Sequence, residues 1–235
     1  MKKHFVALSL LLLCVSGRAA VHDPAKLPFE IAVHVPAGWK IIRCATGDLN
    51  GDGLEDLVMV REDLDPSNIT RDEKYVPNVR NMNPRVLTIM FGGKDGFSLH
   101  REFERVIPPE FDPEVEQGAD KFAGVSIDNG VLTLSFLYMV FIGSSWALEE
   151  DYKFRFEKGL FRLIGRESKH YSRAYLDITE TSTNYLTRTV EKKRSYTLEL
   201  DGDEIQKTEE YPLPPIRRGP FYLSAMPACC FRDED

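Results

Sequence analysis

Cysteine and histidine are scarce in this chain. Among 235 residues there are four cysteines and five histidines. The adjacent pair Cys229 and Cys230 has no histidine beside it, which argues against a zinc site. There is no G-x-S-x-G segment, and so no nucleophile elbow is written in the sequence. There is no H-E-x-x-H segment either, which removes the common zinc-hydrolase signature. Beyond the first twenty residues no apolar run approaches the about 20 residues that a membrane-spanning helix needs. A sustained 3.6-residue apolar period is also missing, so no long amphipathic helix is expected. Positive charge is in the minority, with 30 Lys and Arg against 37 Asp and Glu. That balance disfavours a general nucleic-acid or anionic-membrane binder and is compatible with cation binding.

What is present starts with a leader. "MKKHFVALSLLLLCVSGRAA" has a basic start of bacterial type, an apolar centre from Phe5 to Val15 and small residues at Gly17, Ala19 and Ala20. This is the layout of a secretory signal peptide, and cleavage is expected after Ala19 or Ala20. Cys14 follows the large Leu13 and sits inside the apolar centre, so no lipid anchor is expected. Without residues 1–20 the chain carries 27 basic and 37 acidic residues, a net charge of −10. The product is expected in the periplasm or outside the cell, with no integral membrane segment. Three cysteines then remain, Cys44, Cys229 and Cys230. An oxidising compartment allows them one disulfide. A bond between the neighbours Cys229 and Cys230 is strained, which favours Cys44 with one of them. The alternative is that Cys44 is a small buried hydrophobe with no bond.

The rest of the chain reads as β-strand. Segments 29–35, 40–47, 56–62, 85–91 and 97–104 are rich in β-branched and aromatic residues, as are 122–127, 131–139, 152–157, 160–168 and 176–190. "YKFRFE" alternates cleanly, with Tyr152, Phe154 and Phe156 on one face. "GGKDG" (92–96), "DNG" (128–130), "EKG" (157–159) and "DGD" (201–203) supply hairpin turns. Residues 63–84 and 107–121 are polar, proline-bearing surface loops. The expected fold is all-β, built of antiparallel meanders, with two four-stranded sheets arranged as a sandwich or a partial propeller-like stack. The expected division is a signal peptide at 1–20, one β-rich domain at 21–225 and a tail at 226–235.

The densest chemistry lies in "GDLNGDGLEDLVMV", residues 47–60. Counting Asp48 as position 1, Asn50, Asp52, Leu54 and Asp56 fall on positions 3, 5, 7 and 9. Odd positions of a curled loop can face inward together. Calcium takes six to eight hard oxygens, and this loop offers three carboxylates, an amide carbonyl and the Leu54 backbone carbonyl. Gly53 at position 6 permits the sharp turn such a loop needs. Three acids held this closely repel one another without a cation. The spacing overlaps the EF-hand pattern, but position 12 is Met59 where an EF-hand has a bidentate glutamate, and the flanks read as strands.

"GDLNGDGLEDLVMV" followed by "VLTIMFGGKDGF" resembles one FG-GAP or VCBS-type repeat. Such repeats are blades of calcium-binding β-propellers in integrin α chains and in many secreted bacterial proteins. The resemblance covers residues 40–104 and implies calcium ligands at Asp48, Asn50, Asp52, Asp56 and the carbonyl of Leu54. A propeller needs about four to eight blades, and only one such loop is found, so two meanders stacked together are expected instead of a closed ring. The later segments "YKFRFEKGLFRLIGRES" and "STNYLTRTVEKK" resemble the second half of secreted bacterial proteins of unknown function that carry one such repeat.

No catalytic set stands out. His34 and His100 fall on expected strands; Glu149, Glu150 and Asp151 form an acidic triplet, Asp177 and Glu180 a spaced pair, and Trp146 is a candidate pocket residue. The expected function is a non-catalytic exported β protein with one structural calcium site, serving as a binding module for a protein or glycan. The competing expectation is an exported hydrolase whose site is assembled only in the fold.

Overall fold

The computed structural model describes residues 29–73, 78–111, 118–140, 143–200, 203–216 and 218–226. The leader, Cys14, His22, Cys229 and Cys230 lie outside these residues, and with them the expected signal peptide and the partner of any Cys44 disulfide. A helical turn α1 (Phe29–Ala32) comes first, then strands β1 (Trp39–Gly47), β2 (Asp56–Asp63), β3 (Ile69–Arg71), β4 (Val79–Asn81), β5 (Arg85–Gly93) and β6 (Gly96–Phe103). They are followed by β7 (Phe122–Asp128), β8 (Val131–Met139), β9 (Trp146–Glu157), β10 (Leu160–Ser172), β11 (Asp177–Asn184), β12 (Thr189–Leu200) and β13 (Asp203–Pro212).

The all-β, antiparallel expectation holds, but the partition into two four-stranded sheets does not. The described strands form a four-stranded sheet in the order β1-β2-β5-β6, a seven-stranded sheet running β7 to β13 in sequence order, and a two-stranded ribbon of β3 and β4. The second meander, β7–β10, therefore does not stop where expected. Segment 176–190 is not one strand but the hairpin of β11 and β12. Its turn has no glycine; the Asn184 side chain accepts from the N–H groups of Leu186 (3.0 Å) and Thr187 (3.1 Å), and Arg188 takes a positive φ of 62°. The polar segment of β13 then pairs with β12 from Glu191 to Leu200.

Segment 29–35 was expected as a strand and instead begins with α1 and a turn. A short apolar run has the same composition in either state, so periodicity cannot separate them. His34 accordingly lies in a turn, not on a strand; its carbonyl accepts from Arg61 at 3.3 Å.

β2 explains the layering. Asp56 to Glu62 are all buried, so the strand is covered on both faces. Val58 and Val60 join Leu87 and Ile89 of β5 in the main core, against Leu132, Leu134, Phe136, Tyr152 and Phe154 of the seven-stranded sheet. Leu57 and Met59 point the other way, to Ile31, Ile41 and Met90, with the half-buried Cys44 packed against them. Full burial of such side chains contributes about 1.5–3 kcal/mol each. Because β1 and β2 are fixed by these two clusters, the loop between them has rigid ends.

Candidate functional site

Residues 48–55 connect β1 and β2 as a tight curl, and the side-chain oxygens of the sequence pattern build it. The Asp48 carboxylate accepts from the N–H of Gly51 (2.7 Å) with one oxygen and from that of Gly53 (2.9 Å) with the other. Gly51 and Gly53 have φ of +80° and +82°, a region that favours glycine over residues with a Cβ. The Asn50 carbonyl oxygen accepts from Asp52 N at 2.9 Å, and Asp52 accepts from Leu54 N at 2.8 Å. The Asn50 amide also donates to the second Asp52 oxygen at 3.1 Å. Positions 1, 3 and 5 therefore all bend the chain around themselves.

Asp56 has a different place. It is fully buried and accepts three backbone N–H groups, from Leu49 (2.8 Å), Asn50 (3.2 Å) and Gly92 (2.9 Å). It ties the first part of the loop to the end of β5. Gly92 can donate because nothing stands between it and the loop: a Cβ there would lie 2.1 Å from the Glu55 carbonyl oxygen. Gly47 is equally confined, since its Cβ would meet the Ile127 side chain at 2.6 Å. The loop thus rests on β7 and on the Asp128–Gly130 turn, and a shallow cleft of about 610 Å³ opens between them, lined by Asp48, Asn50, Asp128 and Arg155 among others.

The donor set is all oxygen, which suits a hard cation. Each Asp48 oxygen uses one lone pair on the backbone and keeps another. The Asp48 carboxylate therefore retains acceptor capacity. Among the described residues, no three His, Cys, Asp or Glu side chains converge as a group that could hold a metal ion. The structure brings Asp48, Asn50 and Asp52 into one turn and sets Asp56 beneath it as a clamp. No family model, curated protein or solved structure matches the chain.

The other acids singled out in the sequence lie on the seven-stranded sheet, and most are bonded. Glu150 is buried among apolar neighbours with Arg166, whose Nε donates to it at 3.0 Å, and with the Tyr152 hydroxyl at 3.0 Å. Asp151 accepts from Ser135 at 2.5 Å and Glu149 from the Tyr171 hydroxyl at 3.0 Å. Asp177 is bridged in two places by Arg194, at 3.0 and 2.8 Å, and this pairing holds its carboxyl below the usual range. Trp146 stacks on His170 with ring centroids 4.6 Å apart, with Tyr175 edge-on. His100 stacks on Phe91 at 4.4 Å; burial and the nearby Arg101 lower its pKa against the opposing pull of Asp56. Among the described residues, no histidine lines the cleft on the seven-stranded sheet.

One cluster was not anticipated. Arg85, only 3 % exposed, donates through Nε to Glu62 at 2.7 Å and through both terminal nitrogens to Asp120 at 2.8 and 2.9 Å. Glu62 also receives Lys40 at 2.7 Å and the Asn81 amide at 3.0 Å. Burial pushes the Glu62 carboxyl up, but the hydrogen bonds and charges of Lys40 and Arg85 outweigh it and hold it below its ordinary value. The cluster pins both polar loops, through Asn81 in the first and through Pro108 and Asp120 in the second, to the end of β2 and β5. The sequence signal was Glu62 two residues beyond the apolar run Leu57–Val60, an acid on a strand that has to be buried.

Proposed function

We propose that the loop of residues 48–56 binds one calcium ion, and that the ion is a structural brace in an exported, non-catalytic β protein that acts as a binding module. Asp48, Asn50, Asp52, Asp56 and the Leu54 carbonyl would hold it. When bound, the ion supplies positive charge that offsets the mutual repulsion of the three carboxylates. The observation that carries this reading is the curl itself: the Asp48 carboxylate grips the N–H groups of Gly51 and Gly53, both at positive φ, within a fixed hairpin end. The order β1-β2-β5-β6, with this loop joining its first two strands, agrees with the FG-GAP-like reading of residues 40–104. The meander β7–β10 stacked on that unit through a shared core supports a partial propeller-like stack or sandwich over a closed ring. The partner of such a module is a protein or a glycan met in the periplasm or outside the cell.

Calcium is plentiful outside cells, so an affinity of about 10⁻⁴–10⁻³ M suffices. Binding to the folded state alone then stabilises by about 1.4 kcal/mol at ten times Kd. Thermal melts in calcium and in chelator test this. The expected result is a higher midpoint in calcium for the parent protein and no such shift for Asp52→Ala. An identical midpoint in both buffers, or an equal shift in Asp52→Ala, refutes the metal reading.

A further inference from the structure

The seven-stranded sheet covers the core with only one of its faces. Leu134, Phe136, Tyr152 and Phe154 point into the core, so Ser135 and Asp151, which alternate with them, point to the opposite face. On that face a cleft of about 1190 Å³ runs from β8 to β13. Small-molecule sites span roughly 300–1,000 Å³. Six strands about 4.8 Å apart make a path of about 24 Å, the length of about seven extended residues.

Two cross-strand rows form its floor. In the first, Glu149, Lys169, Glu180, Lys193 and Glu210 lie side by side on β9 to β13. Their signs alternate, three acids with two bases, so this row keeps a single negative charge in excess. In the second, Ser135, Asp151, Glu167, Ser182 and Glu191 lie side by side on β8 to β12. It holds three carboxylates, two hydroxyls and no basic residue. Lys153 reaches Glu167 from the next row at 3.2 Å, and the Ser182 hydroxyl donates to the same oxygen at 3.1 Å. Asp151 receives only the neutral Ser135 hydroxyl. The Glu191 carboxylate makes no hydrogen bond or ion pair among the described residues. Leu137, Val190, Leu213 and Pro215 add apolar lining, and Arg188 and Lys192 add two basic residues, so that the whole cleft is lined by seven carboxylates against four basic side chains.

We propose that this cleft is the recognition surface of the module, and that it takes an extended polypeptide segment of a partner protein bearing lysine or arginine side chains. Cationic groups meet the Asp151–Glu167–Glu191 row, where charge-assisted hydrogen bonds are available. The aliphatic stems and apolar neighbours of such a segment meet Leu137, Val190 and Leu213. The inference rests on the binding-module half of the proposed function and is independent of calcium.

The test is fluorescence anisotropy of a labelled eight-residue peptide alternating lysine and valine, with its glutamate-for-lysine counterpart as control. Glu191→Lys and Asp151→Asn alter the row. Glu104→Lys makes the same charge change at an exposed site outside the cleft lining. The expected result is saturable one-to-one binding of the lysine peptide alone. It weakens at least tenfold in Glu191→Lys, several-fold in Asp151→Asn and with added salt, and is unchanged in Glu104→Lys; circular dichroism confirms that each variant is folded. Equal binding of both peptides, equal loss in Glu191→Lys and Glu104→Lys, or no saturable binding overturns the proposal. Each titration is run in calcium and in chelator. Peptide binding with no calcium-dependent shift of the melting midpoint removes the metal reading alone, and such a shift without peptide binding removes this inference alone.

Discussion

The two ends of the strand series are held by different forces. β2 lies at the centre of the four-stranded sheet with every residue from Asp56 to Glu62 buried, two apolar clusters on its faces and an ion-pair cluster at its end. β11 to β13 extend the larger sheet past the core, and their described side chains are exposed or half-buried. Their lateral contacts are polar: Arg194 with Asp177, and the Tyr196 and Tyr211 hydroxyls with Glu209. The inner unit is stabilised by area removed from water, the outer strands by backbone pairing and screened surface charge. A functional loop that needs fixed ends is found on the first, and an open charged face on the second.

Substitutions can sharpen this contrast. The largest effect is expected for Arg85→Met, which leaves Glu62 buried with one cation fewer. Removing one partner of a buried pair costs about 3–5 kcal/mol, read as a lower urea midpoint. The sign with pH follows from the lowered Glu62 pKa: in the parent its contribution is complete above the ordinary glutamate range and is lost as pH falls through the lowered value. In Arg85→Met the hydrogen bond and charge of Arg85 are lost while Lys40 stays, so that pKa moves up from its lowered value. The gap between the two proteins is therefore widest near neutrality and narrows below about pH 4. A constant gap across that range contradicts the assignment.

Gly92→Ala comes next. Its Cβ meets the Glu55 carbonyl at 2.1 Å, and both belong to backbone that cannot rotate away. A cost of about 1–3 kcal/mol is expected, with weakening of the Gly92 N–H bond to Asp56. A urea midpoint equal to that of the parent would mean that loop and strand are not held in contact. The smallest effect belongs to Arg194→Ala in the outer strands. The pair it breaks is at the surface, and the midpoint is expected to stay within measurement error. A loss as large as that of Gly92→Ala would show that the outer strands are held more firmly than their burial implies.

Legibility in the sequence follows the same division. "DLVMV" announced a buried strand by its unbroken apolar run, and "GDLNGDG" announced a curl with side-chain oxygens on its inner turn, because burial and positive φ leave residue-type signals. β13 and the β11–β12 turn were not legible. "DEIQKTEEYP" has no apolar face to reveal a strand, and an Asn184 cap replaces the glycine that usually marks a hairpin. α1 was misread since four residues cannot display a period. The Arg85 cluster joins residues 35 positions apart, Arg85 and Asp120, and no local pattern encodes such a pairing. Asp56 was expected as a ligand; its role as a clamp on Gly92 depends on β5 lying beside β2, which only the fold supplies.

The loop of residues 48–56 carries the central claim. Amide proton–nitrogen correlation spectra recorded during a calcium titration report on it directly, because Gly51 and Gly53 donate to the carboxylate that would bind the ion. The predicted result is saturable movement of the Gly51, Gly53 and Leu54 signals with a midpoint of about 10⁻⁴–10⁻³ M, little change in β11–β13, and loss of the response in Asp48→Ala. Spectra that stay unchanged to 10 mM calcium, or that shift alike in Asp48→Ala, contradict it.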